Sequence, residues 1–153
     1  MTYRQMCFME NKHWYFKYRI KALSTIIDNF IIKENADILD VGVGTCTISK
    51  KLEEKGNCIH IDCNDKIIYD ASEKGIEVIK CDIPWNMSHI DGKKFDYIVV
   101  FNLIEYLDKD VWSLDVLKSF LKEDGKILLT TLTNPLVYDM NDKLYNIKRR
   151  YWL

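Results

Sequence analysis

Short apolar segments alternate with amphipathic ones along most of this 153-residue chain, and this alternation limits the possible folds more than any other feature. Where a helix is predicted, apolar residues recur at three- and four-residue spacing, as at Ile20, Leu23 and Ile27. The segments that are typical of buried strands are 36–41, 58–62, 75–82, 95–101 and 126–133. Strands separated by helices form right-handed βαβ units, so we predict a parallel α/β sheet covered on both faces.

The length of 153 residues corresponds to one domain. Within it we expect a helical cap at 1–35, an α/β core at 36–135 and a helical tail at 136–153. Hydrophobic residues make up 48% of the chain and charged residues 29%, a composition that excludes extended disorder.

Charge and hydropathy exclude several kinds of partner. The 22 Lys and Arg residues balance 23 Asp and Glu residues, so the chain lacks the basic surface on which nucleic-acid binding depends. The longest apolar run, 97–101, is too short to span a bilayer, and the first residues include no signal-peptide stretch. The five Cys and three His residues show no metal-ligand spacing. We therefore predict a cytoplasmic protein with no metal, no nucleic-acid partner and no membrane association.

A glycine turn follows the first predicted strand, in the sequence Asp40-Val-Gly42-Val-Gly44-Thr. The two glycines let the backbone bend sharply and approach a ligand closely. A dinucleotide fingerprint would need a third glycine at the position of Thr47, which weakens an NAD-dependent interpretation. Asp40 would repel a pyrophosphate and attract an ammonium group. The turn therefore favours a cofactor that carries an amino acid, such as S-adenosylmethionine (SAM).

Two further acidic residues end later strands. Asp62 ends the second predicted strand and Asp82 ends the third. Because ligands of parallel sheets bind beyond the carboxyl ends of the strands, we expect Asp62 to accept the hydroxyls of a ribose and Asp82 an adenine amino group. Each residue alone is equally explained as a cap of the helix that follows it. Three such residues in order around a glycine turn favour ligand binding.

The chain resembles the class I SAM-dependent methyltransferases over roughly 36–135. The segments that carry the resemblance, in order, are Ile38–Cys46, Ile59–Asn64, Lys80–Ile83, Phe95–Leu107 and Leu121–Thr130. The resemblance implies a doubly wound, Rossmann-like parallel sheet in strand order 3-2-1-4-5, SAM as the cofactor and methyl transfer as the activity. Because the chain ends at Leu153, we expect it to lack the sixth and seventh strands of that family.

The resemblance also implies which residues form the site. Those that would bind the cofactor are Asp40, Gly42, Gly44, Thr45, Asp62, Cys63, Asp82, Ile83 and Asn102. The segment Glu10–Arg19 resembles the "E..HWWF..R" opening of methyltransferases often found with surface-glycan biosynthesis, which implies a small-molecule or glycan-precursor acceptor. Candidates on the acceptor side are His13, Glu105 and Tyr106, although aromatic residues at this spacing also occur as plain core packing.

The chain departs from the family pattern at two positions. Cys46 replaces a glycine and would crowd the cofactor slightly, and Tyr106 replaces a His that sometimes serves as a base. A second interpretation is therefore a truncated module that binds SAM or a protein partner without catalysis. Absence of the last strands would expose the apolar edge of the fifth strand, and we expect the tail to cover this edge or two copies of the chain to associate there.

Overall fold

Five parallel strands form one sheet in the computed structural model, which describes residues 8–10, 12–133, 142–143 and 147–149. The strands are β1 (Ala36–Val41), β2 (Gly56–Asp62), β3 (Val78–Lys80), β4 (Phe95–Phe101) and β5 (Leu121–Thr130). Their order in the sheet is β3-β2-β1-β4-β5, which confirms the predicted doubly wound arrangement. The chain reverses direction across the sheet between β1 and β4, and such a reversal is where ligands of this sheet type bind.

In the described part of the chain, α-helices connect or precede the strands. They are α1 (Trp14–Phe30), α2 (Thr47–Glu53), α3 (Asp65–Ser72) and α4 (Asp110–Lys118). The helix α3 begins where it does because the Asn64 side chain accepts hydrogen bonds from the backbone N–H groups of Lys66 and Ile67. Between β3 and β4 the chain makes only a short 3-10 helix, Ser88–Ile90.

The two faces of the sheet are covered by different elements. Leu39 and Val41 pack in one core cluster with Leu117 of α4. Ile38 packs in a second cluster with Ile27 of α1 and Leu52 of α2. Because side chains alternate along a strand, Asp40 lies on the same face as Ile38, toward α1 and α2.

Several strand boundaries differ from the sequence-based expectation, among them the starts of β2 and β5. The strand β2 begins at Gly56, where a Cβ atom would lie 2.1 Å from the carbonyl oxygen of Ala36, so only glycine fits at this position. The strand β5 begins at Leu121 rather than 126. A register shift opposite Phe95–Tyr97 leaves residues 122–125 of β5 without a regular partner in β4.

A cluster of charged residues lies at the amino ends of the strands, opposite the glycine turn. Asp96 accepts hydrogen bonds from the Lys33 and Lys122 ammonium groups and from the backbone N–H of Asp37. Burial alone would raise the pKa of Asp96, but these donors hold it below its usual range. Asp96 belongs to the Phe95–Leu107 segment of the resemblance, and here its role is to join β4 to β1 and β5.

The expected tail helix at 136–153 lies largely outside the described residues. Of those described, 142–143 are helical and 147–149 are not. Arg149 pairs with Asp142 through both guanidinium Nε and Nη2 and donates a hydrogen bond to the Thr133 carbonyl oxygen. The Lys148 backbone N–H donates to the carbonyl oxygen of Glu105. The described part of the tail therefore contacts the core at the carboxyl ends of β4 and β5. The described residues contain no sixth or seventh strand.

Candidate functional site

The glycine turn connects β1 to α2 through residues with left-handed backbone. Gly42 has φ +81°, Gly44 has φ +50°, and the non-glycine Cys46, at the N-cap of α2, has φ +67°. The positive φ at Cys46 gives a physical reason why the family has glycine at this position. The Cys46 side chain is buried in a cluster with Val43 and Ala71. It therefore packs toward the core, which argues against the expected crowding of the cofactor.

The space beside the turn differs at its two glycines. A Cβ atom at Gly42 would meet the Leu103 side chain at 3.1 Å, so the loop after β4 packs directly on the turn. A Cβ atom at Gly44 would find no atom within 4 Å. The turn therefore leaves open space in front of Gly44, where a ligand could approach the backbone.

Asp62 joins the end of β2 to the glycine turn. Its Oδ1 accepts a hydrogen bond from the Asn64 backbone N–H at 2.9 Å. Burial raises the pKa of Asp62, and hydrogen bonds from the backbone N–H groups of Asn64, Cys63 and Gly44 oppose that rise. The structure thus brings Asp62, Cys63 and Gly44 together, as predicted for one ligand site.

Asp82 lies at the rim of a cavity of about 300 Å³ between the loop after β3 and the start of α4. Ile83, Tyr106 and Lys109 also line this cavity. Asp82 does not end a strand as predicted, because β3 ends at Lys80 and Asp82 pairs instead with Asn86 through two backbone hydrogen bonds. Its side chain is exposed and therefore available to a ligand in the cavity.

A second depression, of about 440 Å³, is larger but lies elsewhere. Its lining runs from Ile31 to Asn35 and from Glu53 to Gly56, near the amino ends of β1 and β2. None of the predicted site residues lines it. We therefore place the candidate site at the opposite, carboxyl end of the sheet.

Glu105 is a buried carboxyl group at the carboxyl end of β4. Its side chain is only 1% exposed, and Oε2 accepts a hydrogen bond from the Thr131 hydroxyl at 3.0 Å. Oε1 has no hydrogen-bond partner in the described part of the chain. Burial raises the pKa of Glu105, opposed by hydrogen bonds that include the Asn102 side chain. The backbone N–H of Asn102, a residue with φ +51°, donates a hydrogen bond to the carbonyl oxygen of Thr130.

The raised pKa of Glu105 predicts a pH-dependent stability. The folded state holds this proton more tightly than the unfolded chain, so the contribution to stability decreases as pH rises above about 4.3, the ordinary Glu value. Glu105→Gln removes this dependence. We expect the free energy of unfolding of the variant, relative to the parent, to increase by about 1–3 kcal/mol between pH 4 and pH 8. Urea unfolding across this range, with exposed Glu123→Gln as the control, measures it. If the difference in unfolding free energy between Glu105→Gln and the parent does not change with pH, the raised pKa of Glu105 is contradicted.

His13 and Tyr106 occupy separate parts of the structure. The His13 Nδ1 accepts the Tyr15 backbone N–H at the start of α1, and its ring stacks on Trp14. Tyr106 is exposed at the cavity of Asp82, next in sequence to buried Glu105. Of the three acceptor-side candidates, Tyr106 therefore lines the cavity and Glu105 lies at the carboxyl ends of β4 and β5. The described contacts of His13 are all with residues near it in sequence.

Several residues of the site were not predicted from the sequence. The Glu10 Oε2 accepts hydrogen bonds from the hydroxyls of Thr45 at 2.6 Å and Thr47 at 3.0 Å, so the N-terminal segment docks on the glycine turn. Asp40 is buried and bonded to Ser49 and His60. The only sequence feature that pointed to Glu10 was its place in the opening motif. No sequence feature pointed to Ser49 or His60.

The residues present fit the predicted cofactor. Open space in front of Gly44 admits a ligand to the backbone. Asp40 and Asp62 lie in the last residues of β1 and β2, and Asp82 lies two residues after β3, the next strand in the sheet. Carboxylates accept hydrogen bonds from ammonium, hydroxyl and amino groups. In the part of the chain that the structure describes, no group of three or more His, Cys, Asp and Glu residues is arranged to hold a metal ion. No described helix is long and apolar enough to cross a membrane.

The comparisons with known proteins agree with this geometry. Residues 38–125 match a family model described as a methyltransferase domain. A SAM-dependent methyltransferase structure from Clostridium acetobutylicum ATCC 824 is similar over 86% of this chain and 58% of its own, with 20% identity and a TM-score of 0.69. The sequence matches none of the curated proteins with which it was compared.

Two further solved structures have similar folds. The N-methyltransferase NodS from Bradyrhizobium japonicum WM9, in complex with S-adenosyl-L-homocysteine (SAH), is similar over 78% of this chain and 63% of its own chain. The identity is 18% and the TM-score 0.67. The plantazolicin methyltransferase BpumL, in complex with a pentazolic desmethylPZN analog and SAH, covers 92% and 59%, at 21% identity and a TM-score of 0.65. The chain spans less than two thirds of the length of each of these three structures.

Proposed function

The chain belongs to the methyltransferase domain family, and from this premise we propose that it transfers a methyl group from SAM to a small-molecule or glycan-type acceptor. One observation carries the proposal. Asp40 near the end of β1, Asp62 at the end of β2 and Asp82 shortly after β3 lie at the carboxyl side of three adjacent strands, where the glycine turn leaves open space at Gly44.

In this proposal each part of the cofactor has its own partners. The backbone at Gly42, Gly44 and Thr45 follows the amino-acid part, and Asp40 receives its ammonium group. Asp62 accepts the ribose hydroxyls, with Cys63 beside it, because its carboxylate already faces the backbone N–H of Gly44. Asp82 and Ile83 receive the adenine at the rim of the 300 Å³ cavity. Asn102 lines the floor between β4 and β5.

The chain's contribution to the reaction is alignment and proton removal. When bound, SAM supplies a methyl group that its positively charged sulfur has already activated. Good alignment of two reacting groups is worth about 7–11 kcal/mol in well-oriented systems. Buried Glu105 is our choice for the group that accepts a proton from the acceptor, because a carboxyl group with a raised pKa is a stronger base near neutral pH.

The acceptor side is proposed to lie between α1 and the segment after β4. Arg19 of α1 acts electrostatically on Glu105, which places the two elements near one another. The aromatic residues at the start of α1 include Trp14 and Tyr18, each 72% exposed. Flat exposed rings of this kind suit the apolar faces of sugars or other small ring compounds. His13 and Tyr106 are the further candidates for acceptor contact.

Two measurements test the proposed function. Titration calorimetry with SAH and with NAD is expected to show binding of SAH and none of NAD. Methyl-labelled SAM is then incubated with the protein and the low-mass fraction of a cell extract, with Asp62→Ala as a control of weakened cofactor binding. Label that enters low-mass products with the parent protein, and less with the variant at low SAM concentration, supports the proposal. Absence of SAH binding would disprove it.

A second candidate function is that of a SAM-binding or partner-binding module without catalysis. It is supported by Tyr106, which stands where the family pattern has a His that sometimes serves as a base. Saturable SAH binding with no labelled product from small-molecule, peptide or protein fractions would favour this candidate. In either case we propose a cytoplasmic protein, since Cys58, Cys63 and Cys81 form no disulfide in the described part of the chain.

The position of β5 at the edge of the described sheet leads us to propose a homodimer. The strand β5 is outermost in the described sheet, and its Leu129 is 40% exposed. The hydrogen bonds of Lys148 and Arg149 reach Glu105 and Thr133, beyond the end of β5. An exposed strand edge pairs readily with another chain, and lysine on such a strand opposes the pairing. We expect light scattering to give a dimer for the parent and a monomer for Leu129→Lys. A parent protein that remains monomeric at high concentration would exclude this edge as an interface.

A further inference from the structure

Asp40, Ser49 and His60 form a buried polar network directly below the glycine turn. Asp40 and His60 are register partners in β1 and β2, and Ser49 belongs to α2. The Asp40 Oδ2 accepts a hydrogen bond from the Ser49 hydroxyl at 2.6 Å and lies 2.9 Å from the His60 Nδ1. All three side chains are buried. A polar network of this kind in an otherwise apolar core fixes the orientation of its members.

The chemistry of the partners determines which of them donates. A carboxylate only accepts hydrogen bonds, so the His60 Nδ1 carries a hydrogen and donates it to Asp40. The His60 Nε2 has no hydrogen-bond partner among the described residues, and it lies 3.6 Å from the Glu53 Oε1. His60 therefore makes its one close polar contact with Asp40.

The two oxygens of Asp40 are used differently. Oδ2 takes both protein donors, whereas Oδ1 accepts no hydrogen bond from the described residues. With Oδ2 held by a strand and a helix, the carboxylate cannot rotate freely. Asp40 stands two residues before Gly42, where the backbone begins its turn toward the open space at Gly44.

We infer that Ser49 and His60 are positioning residues, which fix Asp40 so that its Oδ1 is presented to the ammonium group of the cofactor's amino-acid part. This inference rests on the proposed function. It predicts that the network affects only ligands that carry the amino acid. An adenosine ligand without that part, such as 5′-methylthioadenosine, uses Asp62 and Asp82 and does not reach Asp40.

The test compares the affinities of SAH and 5′-methylthioadenosine by calorimetry. His60→Leu removes the donor at similar volume and is expected to weaken SAH binding about tenfold, the loss of one hydrogen bond to a charged group. Binding of 5′-methylthioadenosine should stay unchanged. His60→Asn, whose amide nitrogen takes the place of the Nδ1, should restore most of the SAH affinity. In an Asp40→Asn background, His60→Leu should have no further effect.

The outcomes separate the inference from the function on which it rests. A parent protein that binds neither ligand overturns the proposed function and the inference with it. A parent protein that binds both, with His60→Leu weakening both equally or neither, overturns the inference alone, as does a failure of His60→Asn to restore binding. If His60→Leu does not fold, Ser49→Ala, which removes the other donor to Oδ2, replaces it in the test. This variant is expected to show the same loss of SAH affinity with unchanged binding of 5′-methylthioadenosine.

Discussion

Replacing Gly44 with Asn is expected to weaken SAH binding by about a hundredfold or more, with the fold retained. The space in front of Gly44 is open, so an Asn side chain meets no protein atom at its Cβ and instead fills the volume proposed for the ligand. The backbone at Gly44 has φ +50°, which Asn tolerates better than other non-glycine residues and which a β-branched side chain would strain. Calorimetry with SAH measures the affinity, and circular dichroism verifies the fold.

Gly92→Asn is the matched control for this prediction. Gly92 also has a left-handed backbone, with φ +74°, and a Cβ atom there would also find open space. It lies shortly before β4 begins, at the end of the sheet opposite the glycine turn. Both variants therefore place an Asn in left-handed backbone at a similar cost in stability. Only Gly44→Asn is expected to lose SAH affinity. Equal affinity in the two variants would remove the turn from the site.

Asp62→Ala is expected to lower SAH affinity about ten- to hundredfold, because hydrogen bonds to a charged group are worth about 1.5–3 kcal/mol. The variant removes the acceptor proposed for both ribose hydroxyls. It also removes the carboxylate that accepts the backbone N–H of Gly44 and so joins β2 to the glycine turn. The effect is therefore expected on both SAH and 5′-methylthioadenosine, unlike that of His60→Leu. Calorimetry with the two ligands distinguishes them.

Two further variants isolate the role of Asp62. Asp62→Asn keeps one acceptor oxygen but presents an amide donor to the second hydroxyl, so it should bind SAH with intermediate affinity. Asp65→Asn removes a carboxylate three residues away, which is exposed and pairs with Lys80 at the surface. It should leave the SAH affinity unchanged. If Asp65→Asn weakens binding as much as Asp62→Ala, the effect reflects general electrostatics rather than a contact.

The strand pattern of this sequence indicated a parallel α/β sheet, and the resemblance of its motifs to a known family implied the order of the strands. Five apolar segments separated by connections long enough for a crossover fit a parallel sheet, and such connections are nearly always right-handed. The same pattern placed Asp40 and Asp62 at the carboxyl ends of neighbouring strands. These predictions succeeded because strand and helix periodicities are local properties, set by which side chains in succession are buried.

Local sequence was less able to locate the ends of elements. Asp82 was predicted at the end of a strand but pairs with Asn86 in a turn. The strand β5 includes residues 121–125, although the pattern predicted that this strand begins at 126, because an irregular register with β4 accommodates them. Such boundaries depend on pairing with a neighbouring strand, which the residues of one segment do not specify.

The contacts that give the candidate site its chemistry were decided by the tertiary structure. His60 and Asp40 are 20 residues apart in sequence and meet because β1 and β2 pair in one particular register. Glu10 reaches Thr45 across 35 residues, and the burial of Glu105 depends on Thr131 and on the packing around β4 and β5. The sequence pattern thus determined the parallel α/β class and the turn between β1 and α2, while the order of the strands followed from the family resemblance. Which carboxylate is held, which is buried and which stays free for a ligand depends on register and chain path, because a side-chain contact forms only after distant segments have packed.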